Sequence, residues 1–178
     1  MRRGRGEPFE GAPSQGREEG TLQGGPYPMF RGRYQHTIDP KGRLSVPAKF
    51  RDALAQYGDH AEQLIVVPNE HALEVHPLEE WQRIETKLRE QSIFNPEVRE
   101  LGRLYISRAK DATLDAAGRV LIPPDVREQA GLSKKEVTLV GGGLPQFEVW
   151  DRSRFDEYER TRADRLPTLF ERLSGLGV

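Results

Sequence analysis

The chain contains no cysteine. Disulfides, thiol catalysis and cysteine-based zinc sites are therefore excluded. Apolar residues are scarce, at 35% of 178 residues. No apolar run approaches the roughly 18 residues that a membrane-spanning helix needs. The arginines near the N-terminus are not followed by the apolar segment of a signal peptide, so a cytoplasmic protein is expected. Net charge is nearly absent too: 27 Lys and Arg against 28 Asp and Glu give −1, and the total does not mark a nucleic-acid binder.

Signals of catalysis are also missing. No Ser-His-Asp ordering, phosphate loop or paired-carboxylate pattern stands out. The histidines are His36, His60, His71 and His76. His71, His76 and Glu74 could be drawn as a metal cluster, but five-residue spacing along a strand places the two histidines on opposite faces. Gly141-Gly142-Gly143 is followed by no Lys-Ser/Thr pair and reads as a glycine-rich hairpin turn. The expectation is a protein that is not an enzyme, with no cofactor, metal or small-molecule substrate.

What the chain does have is a repeat. "IDPKGRLSVPAKFR" (38–51) returns as "LDAAGRVLIPPDVR" (114–127). At a constant offset Asp39 falls on Asp115, Gly42 on Gly118, Arg43 on Arg119, Pro47 on Pro123 and Arg51 on Arg127. Five fixed matches by chance have odds on the order of one in ten thousand, given residue frequencies near 5%. The duplication extends beyond the motif. Each copy predicts a strand, a tight turn, a returning strand, a short helix opened by proline and a β-hairpin. Glu74-Val75 matches Glu148-Val149 after a two-residue deletion.

Helices are expected after each unit. Pro77 opens one, and Asn95-Pro96 caps another with Val98, Leu101 and Tyr105 inward. Asp151 or Ser153 caps a third that places Phe155, Tyr158 and Arg162 on one face. Trp81 and Trp150 read as core. The expected division is a disordered extension at 1–28, rich in Gly, Pro, Arg and Glu, and a first repeat with its helix at 29–92. A connecting helix at 93–106, a second repeat with its helix at 107–160 and a C-terminal tail at 161–178, frayed or used in assembly, complete it. Met29 reads as an alternative start.

Asp, Gly and Pro in the motif suit turns and helix starts. Arginine directly after the glycine is required by neither, so Arg43 and Arg119 are ion-pair partners of their own Asp, solvated charges or ligand contacts. Charge distribution favours the last. From Met29 to Arg51, Arg31, Arg33, Lys41, Arg43, Lys49 and Arg51 face one acid, Asp39. Two arginine-bearing hairpins packed about a pseudo-twofold axis would offer a two-stranded ribbon, a shape that the DNA major groove admits.

"MFRGRYQHTIDPKGRLSVPAKFR" resembles the opening of the MraZ family, and "ATLDAAGRVLIPPDVREQAGL" resembles its second repeat. The likeness runs from about Met29 to Tyr158. It implies a β-rich α+β fold of tandem duplicated AbrB-like swapped-hairpin units, a double-split β-barrel with flanking helices in one chain. It further implies a nucleoid-associated transcriptional regulator, typically a repressor of the division and cell-wall cluster headed by its own gene. Its partners would be double-stranded promoter DNA, at short G-rich direct repeats, and itself as a ring. The family's Asp-x-x-x-Arg signature is carried by Asp39 with Arg43 and Asp115 with Arg119. The DNA-binding residues implied are Arg43, Arg119, Lys41, Arg31 and Arg33, with Asp39, Gly42, Asp115 and Gly118 shaping the turns. The second copy has Ala117 where the first has Lys41. Two rivals remain: an antitoxin-like or scaffolding interaction module of the same fold, and an RNA binder. The latter lacks interleaved aromatics, with only Phe30, Tyr34 and Phe50 in the basic stretch.

Overall fold

The duplication in sequence is a duplication in space. The computed structural model describes residues 28–176, so the extension expected to be disordered lies outside the described residues except for its last position. The first copy supplies β1 (Phe30–Thr37), β2 (Arg43–Ser45), α1 (Ala48–Leu54), β3 (Gln63–Pro68) and β4 (Leu73–Pro77). Helices α2 (Leu78–Arg89) and α3 (Pro96–Leu104) follow. The second copy supplies β5 (Lys110–Thr113), β6 (Arg119–Leu121), α4 (Pro124–Gln129), β7 (Glu136–Leu144) and β8 (Phe147–Asp151), then α5 (Arg152–Arg162) and α6 (Leu166–Leu173).

Strand pairing is exchanged between copies. The large antiparallel sheet runs β1-β7-β8-β4-β3-β5, and β2 pairs with β6 in a separate ribbon. With β1, β3 and β4 equivalent to β5, β7 and β8, the six-strand order reads the same backwards. The first strand of each copy therefore completes the hairpin of the other. Backbone bonds repeat the exchange. Val46 N–H donates to Gly118 C=O and Ile122 N–H to Gly42 C=O, both at 2.9 Å. Ile38 N–H donates to Lys135 C=O at 2.8 Å and Leu114 N–H to Glu62 C=O at 2.9 Å. This is the expected swapped-hairpin α+β fold, with the barrel left open between sheet and ribbon.

The central strands of the sheet, β3, β4 and β8, are buried on both faces, whereas the edge strands β1 and β5 are largely exposed on one. Against the ribbon side, Phe30, Leu44, Phe50, Val120, Ile122, Leu139 and Phe147 form one core drawn from both copies. The Phe50 ring centre lies 5.3, 5.1 and 5.0 Å from those of Phe30, Tyr34 and Phe147. On the opposite face the copies are again matched. Trp81 of α2 packs edge-on to His76 at 5.3 Å, and Phe155 of α5 packs edge-on to Trp150 at 5.5 Å. Asn95 caps α3 by accepting from Glu97 N–H at 2.9 Å, and Asp151 caps α5 by accepting from Arg154 N–H at 3.2 Å.

Two expectations fail and a third is narrowed. Gly141 to Gly143 are not a turn but the end of β7, paired with β1 through Gly32↔Gly141 and Arg31↔Gly142. The turn is displaced to Pro145 and Gln146. A Cβ on Gly141 would lie 2.5 Å from the Phe30 carbonyl carbon, so glycine here admits the close crossing of β1 that turns Phe30 into the core. α3 fully buries no residue: Leu101 is 48% exposed and Val98 half-buried, while Tyr105, just past the helix, meets Trp81 at 5.7 Å. Of the two expectations for the tail, fraying does not hold over α6, a formed helix whose Leu166, Leu169, Phe170 and Leu173 are exposed, and use in assembly stays open.

Gly141→Ala should destabilise the protein by about 1–3 kcal/mol through overpacking against backbone. Gly142→Ala, which meets open space, should be neutral or mildly stabilising. Urea unfolding of the two variants checks the contrast, and equal effects would contradict the close crossing.

Candidate nucleic-acid interface

Each repeated motif builds the same turn. Asp39 N–H donates to Arg43 C=O and Gly42 N–H donates to Asp39 C=O, both at 2.9 Å. Gly42 has φ +85° and Gly118 φ +72°, the left-handed conformation that favours glycine. The Asp39 carboxylate closes the turn from within. Its Oδ1 accepts from the N–H of Lys41 and of Arg43, each at 2.9 Å. Asp115 Oδ1 does the same for Ala117 and Arg119, again at 2.9 Å.

The second carboxylate oxygen holds the arginine. Asp39 Oδ2 accepts from Arg43 Nε at 2.7 Å and Nη2 at 2.6 Å. Asp115 Oδ2 accepts from Arg119 Nε at 2.9 Å and Nη2 at 2.8 Å. One edge of each guanidinium is thereby fixed, and Nη1 has no partner among the described residues. Ion pairing with its own Asp, one of the three roles open to each arginine, is thus realised in both copies. It leaves the outward edge of each guanidinium free to make a further contact.

Pairing of β2 with β6 decides where these arginines point. Leu44 stands opposite Val120, and both are fully buried. Strand alternation sends Arg43 and Ser45, with their partners Leu121 and Arg119, to the other face. Arg43 and Arg119 are diagonal neighbours there, a relation that spaces side chains by about 7–8 Å in antiparallel pairs. The outer face of the ribbon thus carries two half-exposed, pre-oriented guanidinium groups related by the pseudo-twofold axis. Lys41 is exposed at the tip of the first turn.

Not all basic residues of the first copy join this face. Arg31 and Arg33 lie toward the start of β1, roughly 26 and 20 Å from Asp39 at strand rise. Both are exposed, but Arg33 forms an ion pair with Glu159 and its guanidinium lies 5.3 Å from the Phe155 ring centre on α5. The structure brings together Asp39, Lys41, Gly42, Arg43, Asp115, Gly118 and Arg119, and keeps Arg31 and Arg33 apart from them. Sequence reasoning assigns no role to Arg51 and Arg127, which end each motif. Their recurrence at the same offset is the signal that points to them, and the structure sets each against the turn of the other copy.

Electrostatics keep the pairs charged. The Arg43 backbone N–H, with its guanidinium, holds the Asp39 carboxyl below the usual range. The Arg119 side chain does so for Asp115, and Asp115 in turn raises Arg119 above the ordinary arginine value. No competing site emerges elsewhere among the described residues. His76 is buried and 3.1 Å from Glu74, His71 is exposed on a turn, and no group of three metal-ligating side chains occurs among the described residues. No helix among them is long and apolar enough to cross a membrane.

Comparison with known proteins matches this double geometry. The family model described as "MraZ protein, putative antitoxin-like" fits the chain twice, over residues 29–104 and 105–175. A protein of Syntrophobacter fumaroxidans named transcriptional regulator MraZ is 38% identical over 151 residues, covering 85% of this chain and 98% of its own length. Proteins of the same name from a Marinomonas species and from Desulfitobacterium hafniense Y51 are 42% and 40% identical. They cover 78% and 84% of this chain and 88% and 100% of their own lengths. With two tandem matches spanning the fold and full-length relatives at this identity, the chain belongs to the MraZ family.

Proposed function

We propose that this protein is a transcriptional regulator that binds double-stranded promoter DNA through the outer face of the β2–β6 ribbon. The observation that carries the reading is the pair of aspartate-held arginines, Arg43 and Arg119, presented side by side on an exposed two-stranded ribbon. Such a ribbon fits the major groove, and the free edge of each guanidinium suits the O6 and N7 acceptors of guanine. Lys41 contacts phosphate and contributes salt-sensitive affinity without sequence information. Arg31 and Arg33, being distant, serve at most a neighbouring stretch of backbone.

The wider reading is that the protein acts as a repressor of the division and cell-wall cluster that includes its own gene, in the cytoplasm and at the nucleoid. A ring of copies would engage several short direct repeats at once, and such linkage raises overall affinity without new contacts. Exposed apolar residues on α3 and α6 support self-assembly. The same residues, with the antitoxin-like description of the family, favour one second reading: a module that captures a partner protein.

Gel-shift titration against DNA immediately upstream of the gene separates the two. Arg43→Ala and Arg119→Ala should each lose about 1–3 kcal/mol of preference over scrambled DNA, the worth of a bidentate contact. Preference unchanged in both would remove the ribbon from recognition and favour partner capture.

The aspartate clamp is tested by carboxyl titration followed by NMR. A carboxyl depressed in the folded state contributes stability above its unfolded value, about 3.9, that is lost as pH falls through the folded one. Asp39 and Asp115 should therefore titrate below about 3.9, with turn and ribbon signals shifting in that same acid window and not near neutrality. Midpoints at or above that unfolded value would contradict the clamp.

A further inference from the structure

Arg43 and Arg119 are each neutralised by a carboxylate, so the ribbon's central arginines add little long-range attraction for a polyanion. Lys41 is exposed at the first turn and makes no ion pair among the described residues, but the second turn has Ala117 in its place. On sequence alone the second tip carries no such charge. The fold changes that count.

Arg51, in the last turn of α1, crosses to the second copy and lies over the Gly118 turn. Its Cδ, Nη1 and Nε are 2.6, 2.9 and 3.0 Å from where a Cβ on Gly118 would sit. Gly118 is required for its positive φ, and its missing Cβ leaves the space in which this side chain lies. Arg51 is exposed and makes no ion pair among the described residues. The reciprocal residue is less free. Arg127 Nη2 is 3.8 Å from the Cβ position of Gly42, farther than the Ile122 carbonyl oxygen at 3.0 Å, and its Nε is buried without a hydrogen-bond partner among the described residues.

We infer that Arg51 is a phosphate-contacting residue of the second hairpin, supplied in trans by the first copy, and that it replaces the lysine absent at Ala117. Each tip of the ribbon then carries one exposed cation with no ion pair among the described residues: Lys41 at the first and Arg51 at the second. Central arginines address base edges while the tip cations address the backbones that flank the groove. The inference rests on the DNA-binding reading and names the contacts that give it affinity.

The test uses the full chain and a labelled duplex of the DNA immediately upstream of the gene, with a scrambled duplex of equal length. Affinities are measured from about 50 to about 200 mM salt for the wild type, Arg51→Gln, Arg51→Lys and Arg51→Gln with Ala117→Lys. Removing one cation from a phosphate lowers the salt slope by about 0.9. Over that range the affinity of Arg51→Gln should therefore fall about 3.5-fold less than that of the wild type for each subunit engaged on the duplex. The variant should bind both duplexes more weakly at low salt, with its preference between them retained. Arg51→Lys should keep the wild-type slope, and Ala117→Lys should restore it in the Gln background.

A wild-type slope in a folded Arg51→Gln protein overturns the inference. So does a reduced slope that neither lysine restores, because the side chain would then act through packing. Absence of any preference in the wild type sinks the DNA-binding reading itself, a result distinguishable from both.

Discussion

Everything in this structure depends on an exchange of strands between the two copies. β1 completes the β7–β8 hairpin and β5 completes the β3–β4 hairpin, so each copy alone would leave unpaired edges and an uncovered apolar face. The exchange forces β2 and β6 to meet at the pseudo-twofold axis, where Leu44 and Val120 seal the core. Their inward direction fixes the outward direction of Arg43 and Arg119 one residue away, because a strand alternates faces. A one-residue slip in that ribbon would bury both charges, so the register that builds the core also presents the arginines.

The aspartate clamp trades field strength for order. A free arginine gives up about 2 kcal/mol of rotamer freedom when fixed against a ligand. In both hairpins much of that loss is incurred on folding, since Nε and Nη2 are already bound to carboxylate. The carboxylate also cancels the charge that would attract any polyanion indiscriminately. A chain of net charge −1 with clamped arginines is poorly suited to unspecific adhesion and better suited to contacts that require a particular geometry. On the DNA-binding reading proposed above, affinity would come from the tip cations and from several ribbons acting together.

The duplication made the ribbon legible in sequence. Asp, Gly and Arg at one offset, bounded by alternating apolar residues, specify a tight turn whatever surrounds it, and the proline and asparagine caps stand where they were expected. What stayed hidden depends on neighbours distant in sequence. Gly141 to Gly143 satisfy both a turn and a close strand crossing, and only the presence of Phe30 beside Gly141 decides. The periodicity around Leu101 specifies an amphipathic helix but not a neighbour to cover its apolar side. Arg51 looks like an ordinary helix-end charge, and its place over Gly118 exists only after the copies interlock.

Comparison of the two copies within one chain shows where the constraint is tightest. Away from the ribbon they diverge. β1 runs eight residues along β7 but β5 only four along β3. At the centre of the sheet Glu74 faces Glu148 across β4 and β8, yet their surroundings differ. Burial pushes the Glu74 carboxyl up, and hydrogen bonds from His76, Tyr105 and Asn69 more than offset it, leaving it below the usual range. Glu148 accepts instead from Trp150 Nε1 at 2.8 Å. At the turns, by contrast, corresponding hydrogen bonds match within a few tenths of an ångström despite the change from Lys41 to Ala117. Stability alone would tolerate drift at an exposed hairpin at least as readily as in the buried sheet centre. The reverse pattern is the one expected where both hairpins must present an arginine in the same geometry to a single twofold-related surface.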